Sequence, residues 1–276
     1  MSVLGTRGVL TNMTSQAARK YQTSLTWATV AVFLCLPGVA HSQGRGGAAA
    51  PAAAQEIAPI DLTGYWVSIV NEDWRWRMVT PAKGDYASVP INAEAKRIAD
   101  LWDPAKDEAA GEQCRSYGAP AIMRVPGRLH ITWQDPNTLK VETDAGEQIR
   151  LLHFGKGTPA GGAATWQGDS VATWERGSGG PVMPVAGNAP RYGDLKVITK
   201  HIRPGYLRKN GVPYSANTTL TEYWDLNKER NGEQWIEVTT LVDDPTYLQV
   251  EWATSLHFKK EPDGSKWDPA PCSARW

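Results

Sequence analysis

Neither sign of charge is in excess: 29 Lys and Arg balance 29 Asp and Glu, a formal net charge of zero. Without a basic surplus there is no electrostatic case for nucleic acid or an anionic membrane as partner. No basic run is interleaved with aromatics in the way a nucleic-acid platform requires. Catalytic and metal signatures are missing too. The chain has no HExxH, no His-x-His and no CxxC, so no metal site is expected, nor any cofactor. Gly-x-Ser-x-Gly is absent, and Gly177-Ser178-Gly-Gly180 stands in a Gly-rich loop with no strand-to-helix elbow. Phenylalanine is scarce, at 3 residues against 13 Trp and 9 Tyr. Trp and Tyr join an apolar body to a polar edge. A chain that prefers them has half-wet apolar surfaces such as a cavity wall, or simply a β-rich core built from large residues.

The only long apolar run, Trp27 to Leu36, is too short to span a bilayer. It follows a segment with Arg7, Arg19 and Lys20 and no acid, and precedes Pro37-Gly-Val-Ala40-His-Ser42. This is the order of a secretory signal, which predicts a signal peptide over 1–42 and a periplasmic or secreted protein without a membrane anchor after cleavage. The Gly-, Ala- and Pro-rich stretch that follows predicts a flexible linker over 43–58, and 59–276 a single domain. Of the three cysteines, Cys35 leaves with the leader. Cys114 and Cys272 remain, and in an oxidising compartment they are expected to form a disulfide; two free thiols are the alternative.

Within the domain, turn signals such as Pro126-Gly127, Asp135-Pro-Asn137, Asn210-Gly211 and Asn231-Gly232 separate short runs that read as strands. Strands are expected near 120–125, 128–134, 138–143, 148–154, 170–175, 195–203, 218–225, 234–243 and 249–259. Asp73-Trp-Arg-Trp-Arg-Met78 also alternates, with Trp74, Trp76 and Met78 on one face. One helix is expected from Asn92 to Trp102, with Asn92 as N-cap. Many antiparallel strands with one short helix predict an all-β fold, a closed or nearly closed β-barrel, with a β-sandwich as the alternative. The Gly-rich stretches 155–164 and 176–193 resist assignment.

Gly64-Tyr-Trp66 at the start of the first strand resembles the Gly-x-Trp signature of lipocalins and the wider calycin barrels. Thr221-Glu-Tyr223 is loosely similar to their Thr-Asp-Tyr element. The resemblance implies a calycin-like barrel that binds a small molecule. A second resemblance covers Cys114 to Met123, Thr165 to Ser170, Ala172 to Glu175, Gly211 to Ser215 and Val242 to Tyr247. These segments look similar to a large group of uncharacterised secreted bacterial proteins, which implies export and a β-rich fold but no activity.

Apart from His41, the histidines lie inside expected strands: His130, His153 and His257, each between apolar neighbours, and His201, between Lys200 and Ile202. If the polar faces of these strands point into the barrel, the imidazoles converge there with Glu222 or Asp225 and serve proton transfer. If they point outward, they are simply solvated. Two functions follow. One is a binder holding a small apolar or aromatic molecule in a cavity walled by Trp66, Trp74, Trp76, Trp133 and Tyr223, with Trp66 at the closed end. The other is a cofactor-free lyase, isomerase or hydrolase using His130, His201, His257 and Glu222 in the same cavity.

Overall fold

A computed structural model describes residues 52–155, 162–175 and 193–275. Nine strands close into one barrel: β1 (Gly64–Ile69), β2 (Arg128–Asp135), β3 (Thr138–Thr143), β4 (Gln148–Phe154), β5 (Asp169–Glu175), β6 (Asp194–Lys200), β7 (Thr219–Lys228), β8 (Gln234–Asp243) and β9 (Trp252–Glu261). Each strand pairs with its sequence neighbours, and β1 pairs with both β2 and β9 to complete the ring. A ring with an odd number of strands cannot alternate direction all the way round. One pair must be parallel, and it is β4 with β5, joined through Leu152–Phe154 and Ser170–Ala172. A parallel step needs a crossover rather than a tight turn, which accounts for the length of the Gly- and Ala-rich connection 155–168. The expected all-β barrel is therefore present.

Two ends can be distinguished. The front carries the start of β1 and the β2–β3 and β7–β8 turns; the rear carries the β3–β4 and β8–β9 turns. Alternation decides the interior. Trp66, Leu129, Ile131, Leu139, Val141, Leu152, Leu195, Val197, Trp224, Val238, Leu256 and Phe258 point inward and are buried. The interior is filled with side chains, as a small barrel requires.

Among the described residues there are four α segments: α1 (Trp74–Arg77), α2 (Ala93–Asp100), α3 (Pro104–Ala109) and α4 (Ala119–Ile122). The α2 helix matches expectation: the Asn92 side chain accepts from the Ala95 amide at 2.9 Å, and Ala95 and Ala99 are fully buried. Two expected strands are corrected. Asp73–Met78 alternates in sequence but forms one helical turn after Asp73, whose φ of 51° turns the chain away from the sheet. The stretch 120–125 falls instead in α4 and the turn after it, with Pro120 in the first turn, where a missing amide hydrogen costs nothing.

A second apolar cluster, with Tyr86, Val89, Leu207, Val212, Tyr214 and Trp252, covers the rear. Cys114 and Cys272 form the expected disulfide, with Cα atoms 5.1 Å apart. It fastens the C-terminal tail, where Ala270–Pro271 pairs with Ala145–Gly146, to this cover. Gly146 has φ +81°, and a Cβ there would stand 2.3 Å from the Tyr117 ring, so only glycine fits.

The expected linker needs correction over its described part. Ala54 is buried, its amide donates to Asn137 Oδ1 at 2.9 Å, and its carbonyl accepts from Trp174 Nε1 at 2.9 Å. Ile57, Ala58 and Ile60 pack on the barrel core. Composition suggested too little apolar surface to order this segment, but the aromatic front of the barrel supplies the partner surface. Residues 1–51, with the expected signal peptide, lie outside the described residues, as do 156–161 and 176–192 of the unassigned Gly-rich stretches.

Candidate functional site

The apolar neighbours of His130, His153 and His257 won the interior, because a nine-stranded barrel needs their bulk to fill it, and His201 lies past the end of its strand, at φ 54°. All four imidazoles therefore stand outside the barrel, and the expected convergence on a common cavity does not occur. His130 stacks on Tyr65 with ring centroids 4.2 Å apart and lies 3.0 Å from Glu142. His153 approaches Thr138 Oγ1 at 3.3 Å. His201 lies 3.0 Å from Asp169, and His257 lies 3.4 Å from Glu72. Glu222 does point inward, yet its partner is a residue that sequence reasoning passed over. Arg150 reaches it with two N–H···O bonds of 2.9 and 2.6 Å, and neither side chain has any exposure. Thr199 and Ser170, bonded at 2.8 Å, extend this polar group on the same inner face. Both carboxylate oxygens of Glu222 are thus engaged by one buried guanidinium.

The five aromatics expected to wall one cavity are dispersed. Trp66 is fully buried toward the front; its indole donates to the Leu62 carbonyl at 2.9 Å, and Lys260 lies 4.9 Å above its ring. Trp74 is 63 % exposed on α1. Tyr223 is on the outer face beneath Lys196. Trp76 lies at the rear, and Trp133 at the front.

Trp133 belongs to the site with room for a ligand. With Phe154 and Trp174 it forms an aromatic floor, centroid separations running from 5.0 to 6.4 Å. The segment around Ala54 caps part of this floor. Beside it lies a cleft of about 850 Å³, walled by Trp133, Leu226, Ile60, Pro59 and Ala58, with Asp61, Asp194, Thr63, Gln55 and Lys228 supplying polar groups. That volume falls in the range of small-molecule sites, ~300–1,000 Å³. Burial works against the charge of Asp61, but hydrogen bonds from Thr63 Oγ1 and N, at 2.7 and 3.0 Å, outweigh it, and the nearby Lys260 and Lys228 add to them. Its carboxyl is held below its ordinary value and stays charged.

Asp225 behaves oppositely. It stands directly across the β6–β7 ladder from Asp194, as the adjoining Trp224–Leu195 pair shows. Burial, then the hydrogen bond with Asp194, then the charges of Asp194 and Glu237, push Asp225 up to about 6. The proton that Asp225 keeps lies in its hydrogen bond with Asp194.

The rear of the barrel carries a contrasting set: Arg77, Arg124, Arg208 and Lys209, all buried, around a much smaller space. The alternation of Asp73–Met78 puts Arg77 on the face opposite Trp74 and Trp76, and Asn210-Gly211 reads as a turn; neither reading singles out these cations. Among the described residues, no group of three His, Cys, Asp or Glu is placed to hold a metal ion.

Compared with known proteins, the chain matches no family model, no curated protein and no solved structure.

Proposed function

We propose that this is an exported binding protein that holds a small apolar or aromatic molecule in the front cleft. The observation that carries the reading is the cleft itself, with its Trp133 wall and a volume of about 850 Å³. An aromatic ligand stacks on Trp133, and its donor groups meet Asp61 and Asp194. The signal-like leader supports export, and the Cys114–Cys272 disulfide supports an oxidising compartment. Among the described residues no helix is long and apolar enough to cross a membrane. The Gly64-Tyr-Trp66 resemblance to lipocalins points to the same kind of function, with the ligand at the mouth of a filled barrel instead of in its interior.

Screening aromatic compounds by quenching of intrinsic Trp fluorescence tests this. Hits should lose most of their affinity in Trp133→Ala and in Leu226→Asp. Hits that bind both variants as well as the parent place the site elsewhere and overturn the proposal.

A second reading has one observation in its favour. Asp225, hydrogen-bonded to Asp194 at the edge of the same cleft, is pushed up to about 6, which suits a cofactor-free hydrolase, lyase or isomerase. Turnover of a bound compound that is lost in Asp225→Asn, with binding intact, would select it.

A further inference from the structure

The small space at the rear of the barrel is lined by three buried arginines, each with one donor left over. Arg77 comes from α1, Arg124 follows α4, and Arg208 belongs to the turn before Asn210-Gly211. These side chains are 2, 6 and 4 % exposed. With Trp76, Ser116 and Lys209 they line a pocket that encloses about 20 Å³. Glu72 pairs with Arg77, and Asp73 lies 2.8 Å from Arg124. Arg208 forms no such pair among the described residues: it donates to the Ala87 carbonyl and to Ser88 Oγ, each at 2.7 Å.

Each guanidinium also keeps one buried nitrogen without a partner: Nη2 of Arg77, Nη1 of Arg124 and Nε of Arg208. Buried donors are satisfied in nearly all folded proteins, and an unpaired one on a cation is costlier still. Three of them around one space call for an acceptor that the chain does not provide. The groups are also held in place. Arg208 stacks 4.8 Å over Trp76, and Arg124 stacks 4.8 Å over Trp252. Burial, with the charge of Arg124 adding to it, pushes both Arg77 and Arg208 down to about 10. Arg124 thus works against the charge of both neighbours, while Glu72 and Asp73 offset it only in part.

We propose that this pocket is a second binding site, one that takes the carboxylate head of a small organic anion. A carboxylate is acceptor-only and planar, and it meets guanidinium N–H groups edge to edge. The enclosed volume admits one or two oxygen-sized atoms, at ~10–15 Å³ each, but not a tetrahedral phosphate or sulfate. Seating the carboxylate neutralises the unpaired Arg208 and gives the orphaned donors their partner. The site lies at the opposite end of the barrel from the front cleft and does not depend on what that cleft binds.

Calorimetry and thermal unfolding of the full chain, titrated with sodium benzoate, acetate, phosphate, sulfate and chloride at matched ionic strength, test this. Benzoate or acetate should bind saturably and raise Tm by ~5–10 °C at a hundredfold excess over Kd. Phosphate, sulfate and chloride should do no more than ionic strength does. Arg208→Met should unfold no earlier than the parent in the absence of anion, because an unrelieved cation is gone, and its carboxylate response should vanish. Should that variant fail to fold, Ser116→Val narrows the pocket while keeping every cation, and it should abolish the response too. Trp133→Phe, at the other end, should leave the response intact. The proposal is overturned if no carboxylate binds saturably, if the inorganic anions act equally, or if Arg208→Met or Ser116→Val responds like the parent.

Discussion

Replacing Glu222 by leucine removes one half of the ion pair inside the barrel and leaves the other. Arg150 then keeps a full charge with no exposure, and its nearest remaining partner is Thr199 Oγ1 at 3.5 Å. Its Nε already lacks an acceptor. Breaking a buried pair on one side costs ~3–5 kcal/mol, because the surviving charge is uncompensated. With a urea m-value of ~2–3 kcal/mol/M, that lowers the unfolding midpoint by roughly 1–2 M. The double variant Arg150→Met/Glu222→Leu removes both charges and fills the same space with apolar atoms. It should recover most of the loss and reach or exceed the parent. Urea titration followed by near-UV circular dichroism reads all the variants. A Glu222→Leu cost below ~1 kcal/mol, or a double variant no better than the worse single one, would show that the pair is hydrated or dispensable and would refute the argument.

Two other consequences can be measured directly. Cys272→Ser opens a loop that spans 158 residues, so the loop-entropy relation gives a loss of roughly 5 kcal/mol and a Tm fall of ~10–20 °C; a fall of a degree or two would mean that the tail is held by its other contacts. Asp225 holds its proton up to about 6 in the folded protein, against an ordinary 3.8. Across that window the folded state binds a proton that the unfolded chain has released, so stability falls as pH rises from ~4 to ~6. Asp225→Asn should flatten this part of the pH–stability curve, and an unchanged slope would exclude the shared proton.

The strands were legible because turn residues punctuate them: β2, β3, β4 and β8 lie within a residue of where Asp135-Pro-Asn137, Asp144-Ala-Gly146 and Asn231-Gly232 place them. The closure of the ring was legible only as a class, because nothing local says that β4 and β5 run parallel. Face polarity was the main failure. Leu129-His130-Ile131 and Leu256-His257-Phe258 alternate equally well with either side inward, and the choice depends on the volume to be filled by all nine strands together. Short segments misled in another way. Six alternating residues at Asp73–Met78 also fit one helical turn, and only the contacts of Arg77 with Glu72 and the Arg124 carbonyl decide between them. The rear arginines come from three segments distant in sequence, so no spacing could have revealed them. Trp133 in the front cleft came closest to being found, through its aromatic character, although two of its neighbours on the cleft wall, Gln55 and Ala58, lie in the segment expected to be a linker.

The odd strand count also determines where the barrel is weakest as a mechanical object. The parallel seam is joined over Leu152–Phe154 alone, whereas the β7–β8 junction runs from Thr219–Asp243 to Lys228–Gln234. A closed strip opens at its shortest joint. Yet Arg150 stands on β4 and Glu222 on β7, so the ion pair reaches past β5 and β6 and clamps the two sides of that joint from within. Ser170 on β5 and Thr199 on β6 fill the span between them. The shortest joint of the ring is thus spanned by a strut across the inside of the barrel, and a motion that draws β4 away from β7 breaks a buried ion pair.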